Sequence, residues 1–226
     1  MNWIIVFFKS SLGKKIIMSL TGLFLCLFLV VHLMGNLQLL KNDGGEAFNT
    51  YAYFMTHNPL IMLVSYGTYL FIVLHTIQGL VLYAQNRAAR KKTYLSKKSS
   101  SSSFSSRNMA LLGSFILLFL ITHMGDFWFK MKRGVLARVN YEGYENIQDL
   151  YSRVATAFDQ WWIVLFYVIG MIVLGYHLQH GFQSAFQTLG FNHRKYTPII
   201  MGIGSAFCLV LSAGFALIPI YHFFFR

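Results

Sequence analysis

Five of the chain's eight histidines, His32, His75, His123, His177 and His180, fall inside long apolar runs. An imidazole can bind a metal, carry a proton or bridge two helices, and at hydrocarbon depth each of these roles needs a partner. A lone histidine there is as well explained by a hydrogen bond between helices. A histidine in each of four successive apolar segments points instead to shared ligands. The cysteines offer little chemistry. Cys26 and Cys208 form no metal-ligand spacing and no Cys-x-x-Cys-His attachment motif, so both read as small packing residues. No Gly-rich dinucleotide loop is present.

The elements that must position these rings follow from composition. Hydrophobic residues make up 56% of 226, charged residues 12%, and mean hydropathy is +0.52. A soluble fold of this size carries about twice that charge, so a water-soluble enzyme is excluded and a polytopic membrane protein is expected. Charge-free stretches run between Lys15 and Lys41, Glu46 and Arg87, Arg107 and Asp126, Asp159 and Arg194, and Lys195 and Arg226. Each is at or near the roughly 20 residues that a helix needs to cross a bilayer. The expected fold is all-α, one domain over 1–226, with five transmembrane helices at 16–40, 59–86, 108–130, 160–187 and 197–222. Residues 1–15 mix Trp, Phe and Lys, and the apolar run after them is too long for a signal h-region, so no cleaved signal peptide is expected.

Five crossings place the termini on opposite sides. One side gathers Lys9, Lys14, Lys15, Arg87, Arg90, Lys91, Lys92, Lys97, Lys98, Arg107, Arg194 and Lys195, with no acid. The other holds the remaining seven of the 19 cations and all seven acids. The positive-inside rule then puts the N-terminus in the cytoplasm and the C-terminus outside, and the membrane is expected to be a bacterial inner membrane. The net charge of +12 thereby reads as a membrane-facing bias rather than a nucleic-acid surface. The Ser-rich stretch 96–106 reads as a mobile loop. The outer loop 131–158, with Tyr141, Tyr144 and Tyr151 among charges, has room for a short interfacial helix.

Depth sorts the histidines. At 1.5 Å per residue, His32 lies roughly 24 Å above residue 16 and His75 roughly 24 Å below residue 59. His32 and His123 share the outer half, His75 and His177 the inner half. Two imidazoles per level, from different helices, is the arrangement for two stacked b haems, each held by a bis-imidazole pair. His75-Thr-Ile-Gln-Gly79 and His177-Leu-Gln-His-Gly181 share a spacing that puts a glycine on the histidine's own helix face. Gly79 and Gly181 either leave room for a flat macrocycle or pack helices together. His180 is the rival to His177; otherwise it bonds a propionate or lies at the interface. His57, His193 and His222, at helix ends, read as interfacial.

With these residues in view, the chain resembles the single-subunit dihaem cytochrome b anchor of succinate:quinone oxidoreductases, in the b558 group found with menaquinone-using enzymes. The resemblance spans nearly the whole chain. It runs through Ser19-x-Thr21-Gly22, His32 with Asn36, His75-x-x-x-Gly79, His123 and His177-x-x-x-Gly181. It implies haem ligation by His75 with His177 and by His32 with His123. It further implies a cytoplasmic flavoprotein with covalent FAD and an iron–sulfur protein docked on the inner face, so that succinate chemistry lies on the partners and this chain carries electrons to quinone. Dihaem fumarate reductases of this fold can carry a carboxylate near the fourth-helix ligand. Here Gly175 and Tyr176 precede His177, so a proton path along that helix lacks that group.

Quinone reduction also takes up protons. Asp126, one turn beyond His123, is the only carboxylate within the expected spans, and Glu46 and Asn49 in the first outer loop join it as candidates for a quinone site. Asp126 has a second reading, pairing with Lys130 at i+4 or meeting water. Two other functional classes fit the composition: the cytochrome b subunit of a membrane hydrogenase or formate dehydrogenase, and a His-lined transporter or intramembrane metalloenzyme.

Overall fold

The computed structural model describes residues 2–91 and 104–226. Five helices are long and apolar enough to cross a membrane: Ser11–Leu40, Pro59–Ala88, Arg107–Lys132, Trp161–Thr188 and Thr197–Phe225. The chain is a multi-pass membrane protein. In order, the helices are α1 (Trp3–Lys9), α2 (Ser11–Asn36), α3 (Glu46–His57), α4 (Pro59–Lys91), α5 (Phe104–His123), α6 (Lys130–Lys132), α7 (Leu150–Phe158), α8 (Trp161–Thr188) and α9 (Thr197–Phe225). A two-stranded hairpin, β1 (Arg138–Tyr141) and β2 (Tyr144–Gln148), precedes α7.

The spans begin where caps allow. Ser10 accepts the Gly13 amide at 2.9 Å and starts α2 five residues before the expected boundary, with Lys14 and Lys15 inside the helix. Asn58 accepts the Leu60 and Ile61 amides and Pro59 opens α4. Of the expected serine-rich loop, Phe104, Ser105 and Ser106 already belong to α5, and 96–103 lies outside the described residues. The third span is not a continuous α-helix, because Met124–Phe129 is π-helical.

Four spans form a ring. α2 packs on α4 and α8, α8 packs on α5, and α4 meets α5 more lightly, so α4 stands opposite α8 and α2 opposite α5. α9 lies against α8 and α2. Small residues let these backbones close in: a Cβ on Gly170 would sit 2.8 Å from the Phe119 ring, and one on Gly204 would sit 2.5 Å from Phe182. Leu20, Leu27, Leu63, Leu70, Ile121, Ile172 and Leu209 point outward and are exposed, as lipid-facing residues are. Cys26 and Cys208 are buried and unbonded.

The end holding the C-terminus carries a folded cap that the sequence only partly announces. The first connecting loop contains α3, and the second contains the hairpin and α7, where one short helix was expected. Asn49, 1% exposed, joins them. Its Nδ2 donates to the Tyr141 hydroxyl (3.0 Å) and Asp149 Oδ1 (2.9 Å), and its Oδ1 accepts the Tyr151 amide (2.9 Å). Gly45, at φ +91°, lies where a Cβ would strike the Tyr151 ring at 2.3 Å, so this approach needs glycine. Arg226 closes the cap by donating to the Tyr151 hydroxyl and the Lys41 carbonyl.

Asn49→Ala removes three bonds from a buried position and is expected to cost about 3 kcal/mol. Protease cleavage between residues 133 and 149 should rise and the melting temperature in detergent should fall. A variant as resistant as the parent would show that the cap is held by other contacts.

Candidate functional site

The ring order decides which histidines meet. His75 on α4 and His177 on α8 face each other across one diagonal, with ring centres 6.2 Å apart. His32 on α2 and His123 on α5 face each other across the other diagonal at 5.9 Å. Thr21 touches His75 and Gly113 faces His177, while His32 and His123 lie eleven and ten residues further along the same two helices. The two levels are therefore about 15 Å apart along the bundle. His180 is half-buried, one turn from His177, and no ring pairs with it among the described contacts.

The chemistry follows from how few ligands each level offers. Among the described residues, no group of three or more His, Cys, Asp or Glu side chains comes together. A metal held by two imidazoles needs further ligands, which water or a cofactor such as a haem can supply. Two metal–imidazole bonds of about 2 Å, with about 1 Å more from each nitrogen to its ring centre, set ring centres about 6 Å apart. Both pairs lie at that spacing.

The surrounding groups fix the rings. The Thr21 hydroxyl donates to the Ile17 carbonyl at 2.8 Å, which leaves its oxygen to accept from His75 Nδ1 at 3.2 Å. That bond leaves His75 Nε2 as an unprotonated donor atom for a metal. A Cβ on Gly22 would lie 3.1 Å from His75 Cε1, so the glycine makes room for this ring. His177 buries Nδ1 without a partner. At the outer level, His123 Nδ1 meets the Tyr167 hydroxyl at 3.3 Å, and the Asn36 side-chain amide donates to the His32 carbonyl at 2.7 Å. Phe28 stacks on His32 and Phe119 on His123, each from four residues earlier.

The two glycines of the repeated spacing differ. A Cβ on Gly181 would meet nothing within 4 Å, whereas one on Gly79 would touch Met18 at 3.4 Å. Gly181 thus borders open space and Gly79 packs against α2. Gly22 on α2 and Gly113 on α5, opposite each other in the ring, are the glycines facing the inner imidazoles, and their proximity depends on helix pairing that no local spacing reveals.

The outer candidates separate. Asp126 is ion-paired twice, with Lys130 Nζ at 2.5 Å and with the Arg153 guanidinium on α7. The Lys130 pairing matches the i+4 reading; Arg153, 27 residues away, gave no local signal. Asn49 is committed to the cap bonds above. Glu46 is exposed in the first turn of α3. The structure does not bring these three together, but it ties Asp126 and Asn49 to the same helix, α7. His57 and His193 are exposed, as expected for interfacial residues. His222 is not: it is 3% exposed, because α7 folds over the end of α9.

Thr21→Val keeps the shape and removes the acceptor for His75. Metal affinity at the inner pair should fall about 10- to 100-fold, with the outer pair unaffected. Equal loss at both levels, followed by cofactor titration, would count against this assignment. Comparison with protein-family models, curated proteins and solved structures gives no match, so the reading of these pairs rests on their geometry and chemistry.

Proposed function

We propose that this chain is a dihaem cytochrome b that anchors a succinate:quinone oxidoreductase to a bacterial inner membrane and conducts electrons between its iron–sulfur subunit and a menaquinone-type quinone. One observation carries the reading: two histidine pairs, each across a bundle diagonal at about 6 Å, at two levels along the bundle. Haem bound there supplies reversible one-electron redox chemistry. The chain's own residues do the rest. His75, His177, His32 and His123 would hold the haems, Thr21 and Tyr167 set ring orientation, and Phe28 and Phe119 keep water from the outer pair.

The N-terminal end suits docking of a flavoprotein with FAD and an iron–sulfur protein. It presents Lys9, Lys14, Lys15, Arg87, Arg107, Arg194 and Lys195 and no acid among the described residues. That imbalance favours a cytoplasmic N-terminus and a C-terminus outside. Electrons entering at this end would reach His75 and His177 first and the outer pair next. Quinone would be reduced at the capped end, where Asp126 lies one turn beyond His123.

The purified protein should contain two b haems per chain, both released by acid–acetone because no cysteine attaches them. His75→Ala or His177→Ala should remove one haem, and His32→Ala or His123→Ala the other. His180→Ala should retain both. A colourless preparation, or loss of haem from the His180 variant with retention in the His177 variant, would overturn the assignment.

A further inference from the structure

His222 is the buried group that the electron path leaves unused. It lies in the last turns of α9 with 3% of its surface exposed, and neither ring nitrogen has a hydrogen-bond partner. The Leu39 backbone lies close to the ring. Two unpartnered polar atoms under an apolar cap are costly in a resting fold, and the cost suits a group that exchanges protons with something that comes and goes.

Its surroundings connect two places. Toward the aqueous end, His222 faces Tyr151 on α7, with ring centres 5.8 Å apart, and feels the charge of Asp159, the exposed residue that ends α7. Toward the interior it meets Phe158 at 6.1 Å; Phe158 meets Tyr167 at 5.1 Å, and Tyr167 meets His123 at 6.1 Å. The other charged groups nearby are engaged. Arg153 is held by Asp126, and Arg226, four residues along α9, is held by Tyr151 and the Lys41 carbonyl. Tyr221, next in the chain, meets the ring edge-on at 6.3 Å. Asp159, which follows Phe158 in the chain, is an exposed acid at this end, and two aromatic rings separate His222 from the outer histidine pair.

We propose that His222 is the proton donor to quinone at the capped end, recharged from the outer aqueous phase through Asp159. The proposal rests on the electron-conduit reading above. A quinone takes two electrons by way of the outer pair and two protons, and both its carbonyl oxygens become hydroxyls. His222, as imidazolium, gives a proton to one oxygen and returns to the neutral ring. Asp159 passes it a proton from water, and a second cycle protonates the other oxygen. No further oxidant or reductant enters.

The test compares two activities in membranes carrying the whole complex: succinate oxidation with an artificial acceptor, and succinate oxidation coupled to a soluble menaquinone analogue. In His222→Gln, haem content and artificial-acceptor activity should match the parent. Quinone-linked turnover should drop on the order of 10²-fold, with KM for quinone little changed and its alkaline pH dependence lost. In His222→Ala, added imidazole should restore turnover. Asp159→Asn should slow quinone-linked turnover less and steepen its dependence on pH. If both His222 variants keep parental quinone-linked rates, or if the loss lies wholly in KM with no imidazole rescue, the ring serves packing alone and the proposal fails. If the unaltered membranes lack b haem or succinate activity, the underlying reading fails instead.

Discussion

An imidazole enclosed by apolar helices at membrane depth is costly unless its nitrogens find partners, and four such rings at two depths constrain the whole bundle. The partners cannot come from lipid. The rings face one another across the diagonals, so the four histidine-bearing helices form a ring rather than a row. α2 is central to that ring. It carries His32, supports His75 through Thr21, and makes room for the same ring at Gly22. One helix therefore serves both levels, and its contacts with α4, α8 and α9 fix the spacing of the pairs.

The capped end has a comparable hub in α7. Within nine residues and its flanks, it offers Asp149 and the Tyr151 amide to Asn49, Arg153 to Asp126, and Phe158 to His222 and Tyr167. Together these contacts reach several elements, so α3, the distorted end of the third span and α9 are held relative to one another by a single short helix. The Asp126–Arg153 pair is half-exposed, and such pairs contribute little to stability; its service here is orientation.

Spans and histidine pairs were legible because both are written locally. Charge-free length marks a crossing, and one histidine per helix at matching depth marks a pair. What was illegible depends on partners distant in sequence. Arg153 looks like any loop cation until α7 folds against Asp126. His222 reads as interfacial by its place near a helix end, and only the overlying α7 makes it buried. Gly22 was visible as part of a motif, but its closeness to His75 follows from how α2 and α4 cross. The hairpin was missed because Glu142–Gly143, its turn, sits among tyrosines and charges with no clean alternation around it.

The π-helical turn at Met124–Phe129 sets how the third span could change over evolutionary time. A π turn holds one residue more than the α-helix around it, and is commonly an insertion accommodated without breaking the helix. Losing a single residue there would restore regular winding and keep the span, because the wider turn takes up the extra length and the residues on either side hold nearly the same facing. His123 would stay opposite His32, and Lys130 would stay on the side that meets Asp126 and α7. Trp128, which donates to Tyr69 on α4 at 2.8 Å, lies within the turn and is the contact such a change would disturb. Length variation at this point is thus absorbed within one turn, which leaves the histidine pair below and the cap above free to keep their places.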